Sequence, residues 1–178
     1  MSFKSLKTII MKKLFFLFAL VIIVSKIQAQ EDKPAETGFR FAAGINVGLP
    51  TGDFGDSHSF GIGVEAQPEY LLSNKLSVYG SAGYTNFFGK KISGFKIDNV
   101  GLIPILAGAR FYAAPKFFVG AKAGLGILTG SGDSESAFDY QPQVGYNADK
   151  FEVNLGYNAL TKDGETLSNL SLSFLYKF

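Results

Sequence analysis

The chain has 178 residues, a length for one domain, and no cysteine, which excludes a disulfide framework, a thiolate metal centre and a lipid-anchored N-terminal cysteine. Its formal charge of +2 is unevenly spread. Residues 1–29 hold five lysines and no acid, leaving 12 of the 17 basic residues against 15 acidic ones, a net −3 that supplies no basic patch for nucleic acid.

The first predicted element is a secretory signal over residues 1–29. Met11-Lys12-Lys13 is a charged start, Leu14–Val24 an apolar run, and the SKIQA that follows offers cleavage after Ala29. The run fits the ~7–15 residues of a signal core and falls short of the ~18 of a spanning helix. Met11 makes a more ordinary start for such a signal than Met1. Residues 30–37, QEDKPAET, follow as a polar lead-in.

From Gly38 onward the pattern is alternation, the period-2 signature of strands between two different environments. Residues 38–49 set Phe39, Phe41, Ala43, Ile45, Val47 and Leu49 against Arg40, Ala42, Gly44, Asn46 and Gly48. Residues 59–72 repeat this, with Glu65, Gln67 and Glu69 on the second face. Over 76–88, Tyr79 and Phe87 blur the second face; over 99–112 both faces are apolar through Leu102–Ala107, and Arg110 sets the register. Strands at 116–128, 138–147, 151–159 and 168–178 complete a set of eight. Each is near the ~9–11 residues that a tilted membrane-crossing strand needs. Pro68, Pro104 and Pro142 fall inside strands, and local bulges are expected there because proline cannot donate to a ladder.

Long connections (50–58, 89–98, 130–137 and 161–167) alternate with tight turns, as in an up-and-down barrel whose two rims face different compartments. Three features put the apolar face outward, toward lipid. The other face is mostly small or polar with charges of both signs, which suits the crowded interior of an eight-stranded barrel. Exposed aromatics gather at both strand ends, with Phe39, Tyr70, Phe117 and Tyr146 at one and Phe60, Tyr84, Phe138 and Tyr157 at the other, as in interfacial girdles. Finally, SNLSLSFLYKF ends on an aromatic with no polar tail, which closure of the last strand onto the first explains.

The fold class is therefore all-β, an eight-stranded antiparallel up-and-down transmembrane β-barrel over residues 38–178. Seven charges point into its lumen: Arg40, Glu65, Glu69, Arg110, Lys122, Asp139 and Glu152. Charges held away from bulk water persist when paired, so Arg40, Arg110 and Lys122 are expected to pair with Glu65, Glu69 and Glu152 as a structural network. Other motifs lead nowhere. Gly61-Ile62-Gly63 and Gly124-Leu125-Gly126 lack the helix of a phosphate loop, and His58, the only histidine, has no cysteine to join it in a metal site. The acidic loops TGDFGDS and GSGDSES lack the ligand spacing of a calcium loop.

Residues 103–128, IPILAGARFYAAPKFFVGAKAGLGIL, resemble the strand–turn–strand segment of the outer-membrane β-barrel family common in Bacteroidota, often labelled porin-like. The signal ending in QAQ is similar to signals from that phylum, and LSLSFLYKF resembles the terminal strand signal read by the assembly machinery. The resemblance covers roughly residues 38–178 and implies a Gram-negative outer membrane, lipid around the barrel, and insertion by the barrel-assembly machinery through Phe174, Tyr176 and Phe178. It carries no catalytic residue and no cofactor. The expected role is structural, or surface binding through the long loops. Two alternatives are a small-solute channel and a soluble secreted lipocalin-like binder.

Overall fold

The computed structural model describes residues 37–130 and 132–178. The signal segment 1–29 and residues 30–36 of the lead-in lie outside the described residues. The strands are β1 (Gly38–Thr51), β2 (His58–Leu71), β3 (Leu76–Gly89), β4 (Lys91–Ile92), β5 (Phe95–Lys96), β6 (Val100–Ala114), β7 (Phe117–Gly130), β8 (Asp133–Asn147), β9 (Phe151–Lys162) and β10 (Glu165–Lys177). All but β4 and β5 form one closed barrel in the order β1-β10-β9-β8-β7-β6-β3-β2, antiparallel throughout. Closure runs from Ala42↔Lys177 to Thr51↔Ser168, and the Phe178 amide donates to the Phe41 carbonyl at 2.9 Å. The aromatic end of the chain is thus held by its first strand.

The alternation resolves into two surfaces. Outward lie Ile45, Val47 and Leu49 of β1 and Phe174 and Tyr176 of β10, all exposed; inward lie Arg110, Glu152 and Asn154, each about 1% exposed. A soluble barrel with an apolar cavity needs the reverse arrangement. The lipocalin-like alternative fails here, because its ligand cavity is filled with charge and its water-facing side is apolar.

Three expectations are corrected. The prolines cause no bulge: Ala66↔Ala82 and Glu69↔Tyr79 keep one register across Pro68, Ala82↔Ile105 and Thr85↔Leu102 across Pro104, and Tyr140↔Ala159 and Gln143↔Gly156 across Pro142. In an antiparallel sheet each residue's N–H and C=O address one neighbour. A proline therefore interrupts one ladder at one position while the other continues: Phe41↔Pro68, Pro104↔Gly126 and Ala121↔Pro142 are all paired. The continuous register sets Pro68 opposite Gly80, Pro104 opposite Gly83 and Pro142 opposite Tyr157, with no residue inserted on either strand. The register shifts instead at His58/Gly61 and Tyr112/Ala114.

The second correction concerns the loops at 130–137 and 161–167, which are largely strand. Gly130↔Asp133 and Lys162↔Glu165 pair, so the strands run on to these positions. At Asp163-Gly164 both φ angles are positive (51° and 91°), the geometry of a tight hairpin turn, and Lys-Asp-Gly-Glu was its sequence signal. The third correction concerns residues 50–58, which hold a one-turn helix, α1 (Gly52–Ser57), too short for a helical period to be read.

Candidate functional site

The lumen is built in layers. Deepest, at the turn end, Arg110 reaches from β6 across to β9. Its Nη1 and Nη2 each donate to Glu152 at 2.8 Å, Nη2 donates to Gln67 Oε1 at 2.6 Å, and Glu69 lies 3.6 Å from Nη1. The guanidinium plane lies between two rings, 4.0 Å from the Tyr79 centroid and 4.3 Å from that of Phe118. Fork geometry plus stacking is what arginine supplies and lysine does not. Gln143, with its amide oxygen toward Tyr79 Oη (2.8 Å) and Arg110 Nε (3.2 Å), completes the shell. Glu69 also accepts from Ser77 Oγ at 2.5 Å and from Tyr112 Oη at 2.8 Å, and Tyr112 Oη accepts from Asn147 at 2.7 Å.

The middle layer is simpler. Lys122 Nζ donates to Glu65 Oε1 at 2.5 Å and to Ser81 Oγ at 3.0 Å, while Ser173 Oγ donates to Glu65 Oε2 at 3.0 Å. Above it are amides and hydroxyls: Asn158 donates to Asp139 Oδ1 at 2.6 Å, Asn169 to Asn158 at 3.1 Å, and Thr85 Oγ1 to Asn46 at 2.8 Å. Between these layers is a cavity of ≈ 40 Å³. It has room for a few waters against the ~10–15 Å³ that one needs, and is far below the ~300 Å³ of a small-molecule site.

The loop end is closed by apolar side chains. α1 turns Phe54 into the mouth, where it packs on Phe87 (ring centroids 5.0 Å apart) within a cluster that includes Leu102, Ala137 and Leu160. His58 lies beneath α1, 4.7 Å from the Phe54 ring, with Nδ1 2.8 Å from Ser57 Oγ and Nε2 buried. Burial lowers its pKa below the ordinary 6.5; the Asp98 backbone opposes this and the Lys90 charge adds to it.

Of the charges expected inside, Glu65, Glu69, Arg110, Lys122, Asp139 and Glu152 are buried in the lumen. Arg40 is half-buried near the turn-end rim, opposite Glu69 in the β1–β2 register. Phe174, Tyr176 and Phe178 lie on the outer surface, in a ring cluster with Phe151 and Phe41. The lumen also holds Tyr79 and Phe87, which the alternation had put on the second face, and Tyr112 and Phe118, which had not been assigned to it. Tyr79, Tyr112 and Phe118 wall in Arg110 and Glu69, and Phe87 supports the cap. Parity carried the signal for two of them: Tyr112 is two residues from Arg110, and Phe118 four from Lys122. Phe118 fits because Gly145 faces it; a Cβ there would meet the ring at 2.3 Å. Among the described residues no cluster of three metal-ligating side chains occurs.

A family model described as "Outer membrane protein beta-barrel domain" matches residues 16–178. No curated protein matches the sequence. Among solved structures, Ail, the attachment invasion locus protein of Yersinia pestis, is similar at 18% identity and a TM-score of 0.55, covering 79% of this chain and 97% of its own. Neisserial surface protein A is similar at 17% identity and a TM-score of 0.53, covering 82% and 98%. A de novo designed transmembrane β-barrel gives 15% identity and a TM-score of 0.50, covering 84% and 100%. At these identities the likeness is one of fold.

Proposed function

The chain belongs to the outer membrane protein beta-barrel domain family and resides in the outer membrane, and from that premise we propose that it is a non-catalytic, closed barrel acting at the cell surface through its loop-end rim. The observation carrying this reading is the Arg110 layer. A guanidinium stacked between two rings and doubly bonded to a carboxylate across the barrel supports a lumen occupied by side chains at that level. Eight strands enclose an interior that side chains can fill, and the layers around Arg110, Lys122 and Phe54 fit that expectation. The reading includes a Bacteroidota source, on the resemblance of residues 103–128, and export by a signal removed after Ala29. It also includes insertion by the assembly machinery reading Phe174, Tyr176 and Phe178.

The channel alternative is tested directly. Wild-type protein in planar bilayers is expected to give no conductance steps. Reproducible, ion-selective steps that change with Glu65→Gln would replace the closed-barrel reading with a small-solute channel.

A further inference from the structure

The rim carries one element that barrel closure does not need. Between β3 and β6 the strands β4 and β5 form a separate hairpin, turning at Ser93-Gly94 with φ of 51° and 87°. Its register puts Lys91 directly opposite Lys96 and Ile92 directly opposite Phe95. Adjacent strand residues face opposite ways, so the hairpin has one basic face and one apolar face. Phe95 is 79% exposed and Ile92 44%. Like charges placed opposite each other destabilise a ladder, and a bare two-stranded hairpin is marginal in water. Local cost on both faces suggests an outside partner that relieves both.

The hairpin's base is fixed. The Lys90 amide donates to Ser57 O and the Ile97 amide to Lys90 O, both at 2.9 Å, and Lys90 Nζ donates to Gly55 O of α1 at 2.5 Å. Lys90 is therefore engaged with the cap, whereas Lys91 and Lys96 are exposed. Just below, Phe60 and Phe88 pair with ring centroids 5.0 Å apart, Phe60 standing 48% exposed. The same rim thus carries two exposed apolar groups, Phe60 with Phe88 at the ends of β2 and β3, and Phe95 with Ile92 on the hairpin.

We infer that the hairpin at 90–97 is an interfacial anchor for lipid of net negative charge, carrying phosphate monoesters, in the outer leaflet. Phe95 and Ile92 enter the acyl boundary, and the Lys91 and Lys96 ammonium groups meet headgroup phosphate oxygens. The inference rests on the surface-acting reading above and names the chemistry that this rim takes. Charge complementarity selects an anionic partner, and the paired apolar face selects a lipid over a free anion.

The chain has no tryptophan, so Phe95→Trp installs a single reporter. The full barrel carrying it is placed in nanodiscs of phosphatidylcholine alone or mixed with lipid A. The expected result is blue-shifted emission and reduced iodide quenching with lipid A, and water-exposed emission without it. Adding Lys91→Gln, and then Lys96→Gln, should raise the lipid A fraction needed for half the shift by roughly five-fold per lysine. Heat-modifiable migration confirms that each variant remains a barrel. Equal emission in both lipids overturns the inference. So does a shift produced by inorganic phosphate alone, which would make the ligand a free anion, or a shift that appears in phosphatidylcholine only when two barrels share a disc. Because the reporter is independent of conductance, a conducting barrel would defeat the closed-lumen reading and leave this result standing.

Discussion

Glu65 shows what a lumen charge contributes. Its carboxylate is 8% exposed and accepts from Lys122 on one oxygen and Ser173 on the other. Removing one partner of such a pair leaves the other charged and poorly hydrated, a loss of about 3–5 kcal/mol, although a well-packed apolar pair in the same place would cost little. Glu65→Gln is therefore expected to lower urea stability by that amount, while Glu165→Gln, on the exposed rim, leaves the midpoint unchanged. Equal, silent behaviour of the two variants would mean that the lumen is hydrated. Asp139 has a different environment, since its Oδ1 is bonded to Asn158 and its buried Oδ2 has no partner among the described residues. In the Arg110 layer, Asn154 donates to Glu152 at 3.0 Å, and its buried Oδ1 is likewise without a partner among the described residues.

At the level of elements, α1 is the part most open to perturbation. One turn of helix gains little from its own hydrogen bonds and is held by Phe54 in the mouth and by Lys90 on Gly55. His58 lies beneath it at the outer rim, beyond the membrane-crossing part of β2, facing Lys90 from the β3–β4 junction and the Asp98 backbone. Its pKa is lowered when the cap is closed, so the open form binds the proton more tightly. The closed cap has its full stability above pH 6.5 and loses it as pH falls from 6.5 toward the lowered value. Amide exchange over residues 52–57 should accelerate across that window, and the single imidazole should titrate below 6.5 by NMR. Exchange that ignores pH beyond its intrinsic acid–base dependence, or that persists unchanged in His58→Phe, would remove His58 from the account.

For the whole molecule the decisive feature is closure. Residues 42–51 of β1 pair with 168–177 of β10, and the last amide is bonded to Phe41, so the C-terminus is part of the seam. Deleting Tyr176–Phe178 removes two ladder positions with β1, one with β9, and the ring contacts of Tyr176 with Phe151 and of Phe178 with Phe41. The truncated chain is expected to miss the membrane and be degraded; membrane fractions probed by heat-modifiable migration measure this. Wild-type levels of folded barrel would show that neither the seam's end nor the aromatic signal is needed.

The β4–β5 hairpin within the expected loop 89–98 was not legible, whereas the eight barrel strands, the facing of each and the lipid-facing side were legible in the residues from 38 onward. Each follows from a local period of two and from which residue types share a face, and neither needs knowledge of a distant neighbour. Arg110 could be placed inward from its parity with Leu102 and Leu106, and Glu65 from its alternation with Val64. Which acid meets which base was not legible. Arg110 and Glu152 lie 42 positions apart and meet only because the barrel sets β6 across from β9. The same holds for Phe54 in the mouth, for Phe118 in the space left by Gly145, and for the prolines, each of which stays paired on one side while the register runs on across the other. Period is carried along one strand; partnership is decided by curvature and register between strands, which exist only once the sheet has closed.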